Sequence, residues 1–262
     1  MAEEFEITLR IDSENPEAVF RKISALKSVG PYTLLPRGDL VMHDRYYDTP
    51  DAGLRKKRYA LRLRTHGRDR MLCLKGKEKV NAWGGIRRLE IEGPWSEEIL
   101  EQVIRQAGVL HHKEGAFRED DPAGTLEGLS LMVIQSRQTG RTLIDIAAAN
   151  GDDSTPIGEM ALDRVSYEIA GNRFLHYELE VEAKGGGKDD ALKGFVTCLQ
   201  ETLPGVLKRW EYNKLITGHA LEALVKEGGL SPGERPDDLI PQSWYDSIER
   251  RIQSDRKADP EK

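Results

Sequence analysis

The strongest constraint in this sequence is an unbroken alternation of polar and apolar residues. Glu4-Phe5-Glu6-Ile7-Thr8-Leu9-Arg10-Ile11, read as a strand, puts Glu4, Glu6, Thr8 and Arg10 on one face and Phe5, Ile7, Leu9 and Ile11 on the other. The same period of two recurs in Leu61-Arg62-Leu63-Arg64, in Leu72-Cys73-Leu74-Lys75-Gly76-Lys77, in Arg88-Leu89-Glu90-Ile91-Glu92 and in His176-Tyr177-Glu178-Leu179-Glu180-Val181-Glu182. Further strands are predicted near 44–51, 131–139, 141–147, 159–169 and 173–184. Helical periodicity predicts helices at 16–28, with Asn15 as cap and Pro16 in the first turn, and at 96–106, 189–202 and 211–226. Asp48 reads as the cap of the turn at Thr49-Pro50-Asp51.

A single strand of this kind fits a sheet whose charged face lies in water, with Arg62, Arg64 and the glutamates forming cross-strand ion pairs. Two features favour the opposite arrangement. Bases (Arg62, Arg64, Lys75, Lys77, Arg88, Arg137, Arg141) and acids (Glu4, Glu6, Glu90, Glu92, Glu178, Glu180, Glu182) sit on strands dispersed through the chain. The E-x-E spacing also recurs on three strands, and carboxylates so spaced lie about 7 Å apart on one face, within convergence of a hard divalent cation. Closing the sheet with its charged face inward gives a polar tunnel whose apolar exterior the helices cover. Guanidinium and ammonium groups beside metal-binding carboxylates suit a polyphosphate, and a bound metal would supply the activated water, so that no side-chain nucleophile is needed.

Other chemistries lack support. The 39 Lys+Arg against 45 Asp+Glu give a net charge of -6, which offers no bulk attraction for duplex nucleic acid. Cys73 and Cys198 stand far apart without ligand spacing, and the six histidines, including His111 and His112, form no HExxH. GxGxxG and P-loop motifs are missing too. The acidic start has no signal-like apolar region and no run approaches roughly 18 apolar residues, so a cytoplasmic protein with no membrane partner is expected.

Taken in order, Glu4-Phe5-Glu6, Tyr46-Tyr47-Asp48-Thr49-Pro50-Asp51, Leu54-Arg55-Lys56, Ala60-Leu61-Arg62-Leu63-Arg64, Leu74-Lys75-Gly76, Arg87-Arg88-Leu89-Glu90-Ile91-Glu92, Leu162-Asp163 and Tyr177-Glu178-Leu179-Glu180-Val181-Glu182 resemble the CYTH domain proteins. These, also called triphosphate tunnel metalloenzymes, include inorganic triphosphatases, thiamine triphosphatases and class IV adenylate cyclases. The resemblance implies an α+β, mainly β, fold: a closed antiparallel barrel of about eight strands with flanking helices. It implies a tunnel domain over 1–228, leaving 229–262 as a linker and a charged amphipathic tail. Metal ligands would be Glu4, Glu6, Asp163, Glu178, Glu180 and Glu182, holding Mg²⁺ or Mn²⁺. Substrate would be held by Thr8, Arg10, Arg62, Arg64, Lys75, Arg137, Arg141 and Lys214, with Glu4, Glu6, Lys75 and Arg88 taking part in catalysis.

One position departs from the family's E-x-E-x-K signature. Thr8 stands at the lysine position, a hydroxyl without charge, and Arg10 follows on the same face. The activity expected is metal-dependent hydrolysis of a triphosphate, inorganic triphosphate first, by a monomer or homodimer. The alternatives are a class IV-type adenylate cyclase and a polyphosphate- or nucleotide-binding module of weak turnover.

Overall fold

A computed structural model of the chain describes residues 6–80, 86–108, 117–148, 156–184, 189–231 and 238–258. Its elements in chain order are β1 (Glu6–Ile11), α1 (Pro16–Ser24), β2 (Ser28–Val29), β3 (Tyr32–Asp48), α2 (Gly53–Lys56), β4 (Ala60–His66), β5 (Asp69–Val80), β6 (Ile86–Pro94) and α3 (Glu97–Ala107). There follow α4 (Pro122–Gly128), β7 (Met132–Ala148), β8 (Gly158–Ile169), β9 (Asn172–Ala183), α5 (Asp189–Thr202), β10 (Leu207–Arg209), α6 (Lys214–Lys226) and α7 (Gln242–Ala258). No helix among the described residues is long and apolar enough to cross a membrane.

The chain packs as two compact units, Met1–Leu40 with Thr139–Glu261, and Val41–Gln138. The first unit holds β1, β8, β9 and β10. Here β1 runs antiparallel to both β9 and β10, and β8 pairs along its length with β9. Alternation places Ile7, Leu9 and Ile11 of β1 beside Leu179 and Val181 of β9, and α5 covers them with Leu192, Phe195 and Leu199. A second apolar cluster joins Val165, Tyr167 and Phe174 to Trp210, to Leu221 of α6, and to Trp244, Tyr245, Ile248 and Ile252 of α7.

The second unit holds β4, β5 and β6, paired antiparallel in that order. Leu61, Leu63, Leu72 and Leu74 turn their shared face to Leu100, Val103 and Ile104 of α3. In both units, then, the apolar face of the sheet is covered by helices.

The strand order is β10-β1-β9-β8-β7-β3-β4-β5-β6, with β2 joined to β3. This overturns the closed barrel of about eight strands expected from the sequence, because the hydrogen-bonded path among the described residues is open, ending at β10 and at β6. Alternation fixes which side chains share a face. Closure needs two edge strands of matching length and shear, and β10 offers three residues.

Local departures have local causes. The Asn15 side chain accepts from Ala18 N at 3.1 Å, as a cap should, but α1 stops at Ser24 rather than Ser28. Ser28 and Val29 instead pair with Thr33 and Tyr32 across a hairpin whose Gly30 takes φ +52°, a value that favours glycine. Strands expected at 131–139 and 141–147 form one strand, β7, running through Gly140.

Candidate functional site: two charge clusters

Each unit carries a cluster of ionised groups on the sheet face opposite the one that α5 or α3 covers, and in the first unit α6 and α7 pack on that same charged face. In the first unit the register sets Asp163 opposite Glu178, Thr8 opposite Glu180, and Glu6 opposite Glu182. Asp163 and Glu178 are buried, whereas Glu180 is partly open. Carboxylate oxygens of Asp163, Glu178 and Glu180 all lie within 4.8 Å of one another.

Lys214, the first residue of α6, reaches into this group. Its Nζ lies 2.9 Å from Asp163 Oδ2 and bonds to Glu178 Oε1 and Glu180 Oε1 as well. Arg141 of β7 grips Asp163 through Nε at 2.7 Å and Nη2 at 2.6 Å, and Nη2 also meets Glu180. On the far side of Glu178, Oε2 lies 2.8 Å from His176 Nε2, and His176 Nδ1 lies 2.8 Å from the Tyr245 hydroxyl.

The electrostatics follow from these contacts. Burial alone would raise the pKa of Glu178, but the Lys214 charge and the His176 hydrogen bond hold it well below the usual carboxylate range. Burial opposes the charge on Lys214, yet Asp163, Glu178 and Glu180 keep it protonated far past its ordinary value. Glu6 behaves oppositely. Its side chain keeps solvent-accessible area, but the protein crowding the rest of it, with Glu180 adding repulsion, pushes its carboxyl up to about 7. Thr8 donates to Glu6 Oε1 at 2.9 Å.

In the second unit the proportions invert. Asp44 of β3, 1% exposed, accepts from Arg64 Nε at 2.7 Å and Nη2 at 2.8 Å, meets Arg137 Nη2 at 3.3 Å and has Arg62 Nη1 at 3.9 Å. Desolvation opposes its charge, but the Arg64 hydrogen bonds and the charges of Arg137 and Arg62 hold Asp44 far below the carboxylate range. Arg137 also donates to the Tyr46 hydroxyl at 2.7 Å. Arg62 reaches Glu92 at 3.1 Å, and Lys75 reaches Glu90 at 3.0 Å. The buried Arg62 Nε has no hydrogen-bond partner among the described residues, a donor left over for an acceptor atom.

Among the described residues, two groupings offer enough ligand atoms for a metal. Asp163, Glu178 and Glu180 give oxygen donors alone, which fits Mg²⁺ or Mn²⁺. Cys73, Glu90 and Glu92 do not fit those ions, because a thiol is a soft ligand and burial pushes the Cys73 thiol up to about 12, away from the thiolate a metal needs.

Of the residues singled out from the sequence, Glu6, Thr8, Arg141, Asp163, Glu178, Glu180 and Lys214 stand in the first cluster. Arg62, Arg64, Lys75 and Arg137 stand in the second. Glu182 is half-buried in register with Glu6. Arg10 turns elsewhere: its Nη1 donates to Asp12 and to Gln242, both at 2.7 Å, and its guanidinium lies 4.3 Å from the centre of the Tyr245 ring. Glu4, His111, His112 and the side chains of Lys77, Arg87 and Arg88 lie outside the described residues. Asp48 caps its turn, accepting from Thr49 N and Leu54 N at 2.8 Å.

Sequence reasoning missed Asp44, His176 and Tyr245. His176 stands two residues before Glu178 on the same strand face, so the period that found the glutamates also pointed to it. Asp44 alternates with Tyr46 in the same way, but nothing in the chain order brings Tyr245 to this place.

Residues 6–218 match a family model described as the CYTH domain. No curated protein matches the chain. Among solved structures, HpAC1 from Hippeastrum, described as a candidate adenylyl cyclase with a dominant triphosphatase activity, is 19% identical, with 89% of this chain and 100% of that one covered and a TM-score of 0.52. A candidate adenylate cyclase from Bacillus halodurans is 20% identical, with 82% and 97% covered and a TM-score of 0.46. The Hippeastrum protein shares the fold.

Proposed function

The chain belongs to the CYTH domain family, and from that premise we propose that it is a divalent-metal-dependent hydrolase of triphosphates, with inorganic triphosphate as its first substrate. The observation that carries this reading is the oxygen-only grouping of Asp163, Glu178 and Glu180, bordered by Arg141 and Lys214. Those three carboxylates, with Glu6 and Glu182 beside them, would hold Mg²⁺ or Mn²⁺. Such an ion, when bound, polarises a phosphoryl oxygen and lowers the pKa of a coordinated water toward neutrality.

The chain's own residues account for binding and orientation. Lys214 offsets part of the charge of the three carboxylates, and once they are otherwise engaged its ammonium can turn to a phosphoryl oxygen. Arg141, doubly bonded to Asp163, presents a guanidinium fixed in direction for the same use. The base-rich group of Arg62, Arg64, Arg137 and Lys75 takes anionic oxygens in place of its few carboxylates, and the unpartnered Nε of Arg62 is the donor available at once. Thr8 contributes a hydroxyl, without the charge an amine would add.

The test is a panel of inorganic and organic triphosphates with Mg²⁺ or Mn²⁺, read as orthophosphate release. Hydrolysis of inorganic triphosphate that Glu178→Gln reduces by about 10²-fold or more is expected. Cyclic nucleotide and pyrophosphate from ATP would replace this reading with a cyclase, and binding by calorimetry without turnover would replace it with a binding module.

A further inference from the structure

The function proposed above assigns no task to the groups behind Glu178. His176 is wholly buried and Tyr245 is 3% exposed. Tyr245 belongs to α7, which begins at Gln242, past the end of the family match at residue 218. The two hydrogen bonds of His176 constrain its protons. An ionised Glu178 only accepts, so His176 Nε2 carries a hydrogen and donates. In a neutral imidazole Nδ1 then offers its lone pair, and the Tyr245 hydroxyl donates to it. A doubly protonated ring would make the tyrosine oxygen an acceptor. Its own buried hydrogen would then have no acceptor among the described residues.

The surroundings hold Tyr245 to this task. Its ring meets Trp210 edge-on at 5.5 Å, and the Arg10 guanidinium lies over its face. The entry to α7 is fastened beside His176 itself: Leu175 N donates to Asp238 O at 2.8 Å, and Ile240 N donates to Leu175 O at 3.0 Å. Burial pushes the Tyr245 hydroxyl pKa upward, which keeps it a donor.

We propose that Tyr245 is a positioning residue for the divalent cation: by donating to His176 Nδ1 it holds the ring whose Nε2–H orients the Glu178 carboxylate, and so makes α7 a working part of the metal site. This rests on the reading that Asp163, Glu178 and Glu180 hold that cation. Lys214 takes Glu178 Oε1 and His176 takes Oε2, so both oxygens are directed. Replacing the lysine contact leaves His176 as the hydrogen bond that keeps Glu178 turned toward Asp163. Without the tyrosine hydroxyl, Nδ1 loses its donor and nothing on that side holds the ring, so the Nε2–H is no longer fixed in direction at Glu178 Oε2.

The experiment uses the full chain and Mn²⁺ alone, titrated by calorimetry into the wild type, Tyr245→Phe, His176→Gln and the double variant, with melting temperatures beside it. Tyr245→Phe keeps the ring against Trp210, so a packing role leaves Mn²⁺ affinity unchanged. The expected result is a roughly 10–100-fold loss of affinity in Tyr245→Phe, with no further loss when it is added to His176→Gln. Equal affinity in Tyr245→Phe and the wild type, or losses that add in the double variant, overturns the proposal. Failure of the wild type to bind Mn²⁺ overturns the assignment of the carboxylates, and this proposal with it. Imidazole nitrogen NMR of the wild type supplies a check that needs no variant: Nδ1 is expected without a proton, and a protonated Nδ1 overturns the proposal.

Discussion

The two units solve the same packing problem with opposite charge. Each turns an apolar sheet face to helices and leaves ionised groups on the other face. In the first unit several carboxylates surround one ammonium, and in the second several guanidiniums surround one carboxylate. A buried charge is tolerated only with its counter-charges close by. Each central residue, Lys214 or Asp44, is therefore both a structural counter-ion and a marker of what its cluster lacks. The first cluster has acid to spare and suits a cation, while the second has base to spare and suits an anion.

Removing the central residues tests this most strongly. Lys214→Met is expected to lower stability by about 3–5 kcal/mol, since it leaves buried carboxylates uncompensated. Millimolar Mn²⁺ should restore part of that loss in denaturant titrations. Asp44→Asn is expected to cost about 2–3 kcal/mol, less because Arg64 is partly open to solvent. There inorganic triphosphate, and not Mn²⁺, should restore stability. If Mn²⁺ restored both variants equally, the contrast between the clusters would be lost.

The units should also answer pH with opposite sign. Asp44 has a folded pKa below its ordinary 3.8, so its contribution is present above that value and disappears as pH falls further. Glu6 is raised from 4.5 to about 7, so the folded chain holds its proton more tightly. Stability from Glu6 is complete below pH 4.5 and is lost as pH rises through about 7. Melting temperature measured against pH should show both limbs in the wild type. Only the acid limb should weaken in Asp44→Asn, and only the neutral limb in Glu6→Gln.

The smallest effect concerns Thr8. Thr8→Lys places an ammonium beside Glu6 and should move the Glu6 titration midpoint, followed by carboxyl-carbon NMR, down by about one pH unit. An unmoved midpoint would mean that the side chain at residue 8 does not reach Glu6.

Much of this was legible in the chain. Alternation separated Ile7, Leu9 and Ile11 from Glu6, Thr8 and Arg10, because a pleated backbone sends neighbouring side chains to opposite faces whatever lies beyond. The helix 189–202 and the Asn15 cap followed from equally local rules. Arg10 shows where such rules stop. Its strand face was set by the sequence, but its guanidinium is taken by Asp12, Gln242 and Tyr245, the last two of which come from the far end of the chain.

By itself the sequence determined which residues share a face and which kind of charge each strand carries, since both depend only on the period of the backbone and the identity of the side chain. Tertiary structure alone decided that Lys214 is enclosed by three carboxylates, that Asp44 is enclosed by three arginines, and that Tyr245 stands behind His176. It also decided that the strand path stays open among the described residues. The physical reason is common to all four: each depends on pairing and packing between segments distant in the chain, and no local periodicity encodes distance in space.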